Sequence, residues 1–138
     1  MKKLVIYYSY SGNTKKIAEE LAMKDSADIF EIKDIKHPGK LKAYTAGIIA
    51  AMKCKAWQII PPDIEIDNYE KLIMLAPVWA GNPPPAFNAM LELLPSGKFI
   101  SIKMVSASGE SNCEGILDII ITSKGCTFES FEDIRVKR

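Results

Sequence analysis

The chain reads as an α/β protein, a mostly parallel sheet layered between helices, and three observations predict that class. Strand-like and helix-like stretches alternate from end to end. The stretch 71–77 is nearly all apolar, as a central parallel strand covered on both faces requires. Three loops, 9–14, 78–83 and 106–112, would leave the carboxyl ends of strands, and all carry glycine with small or hydroxyl residues. Right-handed crossovers place such loops on one edge of the sheet, where α/β folds hold their ligands.

The elements follow in order. Leu4 to Tyr8 is a short apolar run, a buried strand. Lys15 to Ala22 places Ile17, Ala18, Leu21 and Ala22 on one helical face. Between them lies Ser9-Tyr10-Ser11-Gly12-Asn13-Thr14, a loop at a helix N-terminus. Free N–H groups and the positive end of the helix dipole favour an anion there. Ser9, Ser11 and Thr14 each offer a hydroxyl, and Gly12 admits close approach or a positive φ. The loop lacks the Gly-Lys-Ser/Thr ending of nucleotide-triphosphate cradles and the three glycines of the dinucleotide fingerprint. An ordinary turn, capped by Asn13 or Thr14, is the competing reading.

Residues 27–32 alternate apolar and acidic side chains, as an edge strand with one solvated face would. His37-Pro38-Gly39 breaks the chain, and 41–52 has helical spacing with Gly47 inside it. The irregular stretch 53–71 contains Trp57, a packing anchor or a ligand cover, and Pro61-Pro62. After the strand 71–77, Pro83-Pro84-Pro85 leads into a helix over 86–94, with Phe87, Met90, Leu91 and Leu94 inward. A strand over 98–105 follows. The stripe Cys113, Ile116, Leu117, Ile120 and Ile121 then makes a helix that stops near Lys124-Gly125, and a last strand runs from Cys126 to about Val136.

At 138 residues the chain is expected to be one domain, 1–138. Its 18 basic and 17 acidic residues give a net charge of +1, so no electrostatic case exists for nucleic acid or an anionic membrane. The three cysteines, Cys54, Cys113 and Cys126, include no Cys-x-x-Cys pair, which points to a reducing cytoplasm and away from a disulfide framework or a metal site. The first apolar run is too short for a transmembrane span, and no leader pattern follows it. The one histidine, His37, sits in a turn, so histidine-assisted nucleophilic catalysis is not expected.

Ser9-x-Ser11-Gly12-x-Thr14 after the first strand, together with 69–82, resembles the flavodoxin-like family, and the resemblance covers essentially the whole chain. It implies a three-layer, doubly wound fold with five parallel strands in the order 2-1-3-4-5. It also implies FMN as cofactor. Ser9, Tyr10, Ser11, Gly12, Asn13 and Thr14 would hold the phosphate; Pro77, Val78, Trp79, Ala80, Gly81 and Asn82 would flank the ring; Ser106, Ala107, Ser108 and Gly109, in a third loop reaching Ser111, would complete the site. No catalytic residue is implied, because the chemistry belongs to the flavin. Trp79 stacked on the ring would disfavour the fully reduced anion, and a peptide near Gly81 would be free to change partner with redox state.

The chain departs from its relatives in three ways. It is nearly neutral where flavodoxin carriers are acidic, its third loop has no aromatic residue, and it lacks the final helix that would cover one sheet face. Ser101 and Lys103, with Glu129, Glu132 and Asp133, make that face half-polar, which suits exposure or a homodimer contact. The leading expectation is a small FMN-binding electron carrier serving a redox partner protein or a small-molecule acceptor. An NAD(P)H-dependent flavin or quinone reductase is the enzyme alternative, and a flavodoxin-fold interaction domain without cofactor is the third. The open flavin face would be left for substrate or closed by Trp57 or Tyr10.

Overall fold

The computed structural model describes residues 2–34 and 59–136. Five parallel strands form one sheet in the order β2-β1-β3-β4-β5. They are β1 (Lys3–Tyr7), β2 (Asp28–Glu31), β3 (Lys71–Pro77), β4 (Phe99–Ser106) and β5 (Thr127–Arg135). The described helices are α1 (Asn13–Lys24), α2 (Pro85–Glu92) and α3 (Cys113–Ser123). The sequence-based order 2-1-3-4-5 is therefore the observed one. The expected helix over 41–52, with His37, Cys54 and Trp57, lies outside the described residues.

Parallel strands need covered faces, and alternation along each strand decides which helix covers which face. Leu4, Ile6 and Tyr8, Leu72, Met74 and Ala76, and Ile100, Ile102 and Met104 all point to one side. There they pack with Phe87, Met90 and Leu91 of α2 and with Cys113, Leu117 and Ile121 of α3. The opposite side carries Val5, Tyr7, Ile73 and Leu75, which pack on Ala18 and Ala22 of α1. Pro85 opens α2, where its missing N–H costs nothing, and all of Pro85–Leu91 is buried. A Schellman motif ends α3: the Cys126 N–H donates to the Ile121 carbonyl and the Gly125 N–H to that of Thr122.

The sheet face beyond α1, over β3, β4 and β5, is held by polar side chains. A register shift between Ile100 and Ser101 sets Ser130 opposite Ser101. The Ser130 hydroxyl then donates to Ser101 Oγ at 2.7 Å, and Lys71 Nζ donates to the same oxygen at 2.6 Å. Lys71 also pairs with Glu129, and Lys103 Nζ lies 2.7 Å from Glu132 Oε1. Ser101 is buried in this network, where the alternation alone suggested an open polar face.

These pairs differ in burial, so their removal should differ in cost. The Lys71 and Glu129 side chains are 14% and 39% exposed, against 25% and 58% for Lys103 and Glu132. Glu129→Ala strands a shielded ammonium and should cost about 1–3 kcal/mol in urea unfolding. Glu132→Ala should cost under about 1 kcal/mol.

A second prediction concerns alkaline stability. Burial, then Glu31 and Glu19, push the Tyr7 phenol from 10.0 up to about 12. The folded chain keeps a proton that the unfolded chain releases near 10, so this stabilisation is complete below pH 10 and is lost as pH rises through about 12. Tyr7→Phe should flatten part of that decline in urea midpoints measured across the window. An unchanged slope would remove Tyr7 as a cause.

Candidate functional site

All three loops named from sequence leave the same edge of the sheet, after β1, β3 and β4. The first is built around one hydroxyl. Ser9 Oγ accepts the Gly12 N–H at 3.1 Å and the Lys15 N–H at 3.2 Å. A serine hydroxyl has two acceptor sites and one proton. With both acceptor sites engaged by the loop, Ser9 keeps its proton to donate to a further acceptor.

Gly12 is the N-cap of α1, with φ +102° and no side-chain cap bond, so neither Asn13 nor Thr14 caps this helix. Nothing lies within 4 Å of where a Cβ would sit, and the backbone is open on that side. The amides of Asn13 and Thr14 precede the first intrahelical donor, the Lys16 N–H that reaches the Gly12 carbonyl. The first turn holds no acidic residue, and Lys15 and Lys16 follow, so the field at this end is positive. Ser11, Gly12 and Asn13 are exposed, Ser9 and Tyr10 half-buried, and Thr14 buried. The donor set fits an oxyanion such as a phosphate monoester.

The second loop is a tight hairpin-like turn. Trp79 and Asn82 exchange backbone hydrogen bonds, N–H of each to the carbonyl of the other, at 2.8 and 3.0 Å. Ala80 at φ +51° and Gly81 at φ +80° occupy its two central positions, both left-handed as a type I′ turn demands. The Asn82 side chain donates to the Ala80 carbonyl at 3.2 Å. The Trp79 ring stands edge-on to Tyr10, centroids 5.7 Å apart, and to Tyr8 at 6.1 Å. This aromatic contact joins the first loop to the second. Tyr10 therefore buttresses Trp79.

The third loop is folded on its own hydroxyls and tied to β5. Ser106 Oγ accepts the Gly109 N–H at 2.9 Å, and Ser108 Oγ accepts that of Glu110 at 3.2 Å. The Ser111 hydroxyl donates to Asp133 at 2.7 Å. Gly109 lies against Arg135, whose Cβ would be 2.9 Å from a Cβ on the glycine. Val78 N–H donates to the Val105 carbonyl and Asn112 N–H to the Gly81 carbonyl, at 3.0 and 2.7 Å, so loops two and three are stitched together. The Gly81 carbonyl is thus engaged. Pro77 ends β3 opposite Val105.

Between loops two and three lies a cleft of about 570 Å³, lined by Val78, Gly81, Ser106, Ala107, Ser108, Glu110, Ser111 and Asn112. That volume is in the range of small-molecule sites, about 300–1,000 Å³. Asn112 lies in the loop 106–112 named from sequence but was given no part in the site; its one signal was its place just before the apolar stripe of α3, the position of an N-cap. Tyr8, buried behind Trp79, donates its phenol to Asp34 Oδ2 at 2.7 Å. Burial, then that hydrogen bond, hold its pKa well above the ordinary tyrosine value. Among the described residues no His/Cys/Asp/Glu group could hold a metal ion, and no helix is long and apolar enough to cross a membrane.

A family profile described as flavodoxin matches residues 2–122. A search of curated proteins found no match. A flavoprotein from Lactobacillus acidophilus NCFM, solved in complex with FMN, superposes with TM-score 0.79 at 22% identity, over 94% of this chain and 91% of that one. A Bacteroides eggerthii DSM 20697 protein described as a flavoprotein gives TM-score 0.81 at 20% identity, over 95% and 86%. The Streptococcus pneumonia TIGR4 flavodoxin gives 0.59 at 16% identity, over 100% and 88%. At these identities the likeness concerns the fold.

Tyr8→Phe tests the support behind Trp79. It leaves a half-buried carboxylate one donor short and should cost about 1–2 kcal/mol in urea unfolding. A cost near zero would show that the Tyr8–Asp34 bond contributes nothing net.

Proposed function

The chain belongs to the flavodoxin family, and we propose that it binds FMN and serves as a small electron carrier for a redox partner protein or small-molecule acceptor. One observation carries the reading. The Ser9-anchored loop at the N-terminus of α1 presents a hydroxyl proton and helix amides to an anion, beside an aromatic second loop and the cleft it shares with the third.

The residues divide the cofactor between them. Ser9, Ser11 and the amides following Gly12 would hold the phosphate, with Lys15 and Lys16 adding positive charge at the same helix end. Trp79 to Asn82 and Ser106 to Gly109 would flank the ring. When bound, FMN supplies reversible electron uptake through its ring, and the protein orients it and tunes its surroundings. Trp79 would exclude water from its side of the ring. The backbone groups of the 78–82 turn are held by the paired Trp79–Asn82 hydrogen bonds and by the Asn112 N–H on the Gly81 carbonyl.

An NAD(P)H-dependent flavin or quinone reductase is the second reading. It is favoured by the third loop, which lines the cleft with serines, an alanine and Glu110 and no aromatic ring, and so would leave one ring face accessible. For self-association we propose the polar face over β3, β4 and β5, with a dimer mass of twice 15.3 kDa expected in light scattering and a single-chain mass overturning it.

The reading is tested by colour and by affinity. The purified protein should be yellow and release FMN on denaturation. Ser9→Ala should weaken FMN by roughly tenfold, the scale of a charge-assisted hydrogen bond, and leave riboflavin binding unchanged. A colourless protein that also fails to bind added FMN contradicts the proposal. NAD(P)H oxidation with a quinone acceptor would select the reductase reading over the carrier.

A further inference from the structure

Gly81 is where the second and third loops are fastened. Its carbonyl oxygen accepts the Asn112 backbone N–H at 2.7 Å, and the Cys113 thiol donates to the same oxygen at 3.5 Å. The other end of that peptide is held too, since the Asn82 N–H donates to the Trp79 carbonyl at 3.0 Å. Turning the 81–82 peptide over would break every one of these bonds. The Asn112 side chain also lies over the glycine: a Cβ at Gly81 would come 3.0 Å from its Nδ2 atom. A side chain at position 81 would therefore be strained by its φ of +80° and would have to push the Asn112 amide aside.

The anchor is rooted in the interior. Asn112 and Cys113 are the N-cap and first residue of α3, and Cys113 is fully buried in the main core cluster. Gly81 and Asn112 both line the cleft, at the junction of its two walls. The first loop has no part in this fastening; it meets the second through Tyr10 and Trp79.

We infer that Asn112 and Cys113 form a positioning element that sets the spacing of the two cleft walls, and through it the affinity for the ring of a flavin but not for its phosphate. The inference rests on the FMN reading. The backbone bond from Asn112 does the fixing, the thiol supplements it, and the buried start of α3 keeps both donors in place. Loss of the pin lets the 78–82 turn and the third loop move apart, so every ligand that uses the ring loses the same factor, with or without a phosphate.

The test has one arm without cofactor and one with it. In the apoprotein, hydrogen exchange should show the Asn112 amide slower than that of Ser111 by roughly 100-fold, as expected for an amide that opens only with its loop contacts. Asn112→Pro, which removes the donor, should weaken riboflavin and FMN by the same factor, roughly five- to tenfold. Should that variant fail to fold, Gly81→Ala is read in the same way. Cys113→Ser, which keeps a donor, should stay nearer the parent in riboflavin affinity than Cys113→Ala. Exchange of Asn112 as fast as Ser111, or variants that weaken FMN and spare riboflavin, would overturn the inference. Failure of the parent protein to bind either flavin would overturn the FMN reading and the ring-affinity claim together, while the exchange result would still report on the pin itself.

Discussion

Every feature of the site depends on one constraint: all five strands run the same way. A parallel ladder cannot be closed by hairpins, so each strand must be followed by a crossover, and the loops after β1, β3 and β4 emerge at a single edge. The ladder continues past the strand ends. Tyr8 N–H reaches the Leu75 carbonyl, Ile32 N–H that of Tyr7, and Val78 N–H that of Val105. These bonds carry the order of the sheet into the bases of the first and second loops. The apolar alternation that builds the core thus also decides where polar groups gather.

The site has two parts with different physics. The first loop is an electrostatic element: the Ser9 oxygen accepts two of the loop's own amides and leaves its proton facing outward, and the helix end is positive. The second and third loops are a packed element, in which a turn of two left-handed residues is pinned to the buried start of α3. Trp79, edge-on to Tyr8 and Tyr10, is the joint between them. A ligand with a charged end and a flat end suits such a division, because each end meets the element built for it.

Much of this was legible in the chain because it lies in short-range pattern. The apolar run 71–77 marked the central strand, alternation in 27–32 marked an edge, and Ser9 to Thr14 marked a loop between strand and helix. What escaped depends on partners distant in sequence. Nothing near Ser9 says that its oxygen serves Lys15 as well as Gly12, and nothing near Gly81 points to Asn112, 31 positions away. The bulge between Ile100 and Ser101 is equally invisible locally, yet it alone sets Ser130 on Ser101 and turns an apparently open polar face into a buried network with Lys71. Period-two patterns reveal faces; they do not reveal which residue across the ladder completes a polar group.

The central claim is that the end of α1 is a phosphate site in a two-part cofactor cradle. Amide chemical shifts of the 15N-labelled apoprotein, followed through separate titrations with FMN and riboflavin, test it most directly. The account predicts that both ligands move the amides of 78–82 and 106–112, and that only FMN moves those of Ser11 to Lys15. Equal shifts at Ser11 to Lys15 with riboflavin, or none there with FMN, would contradict it.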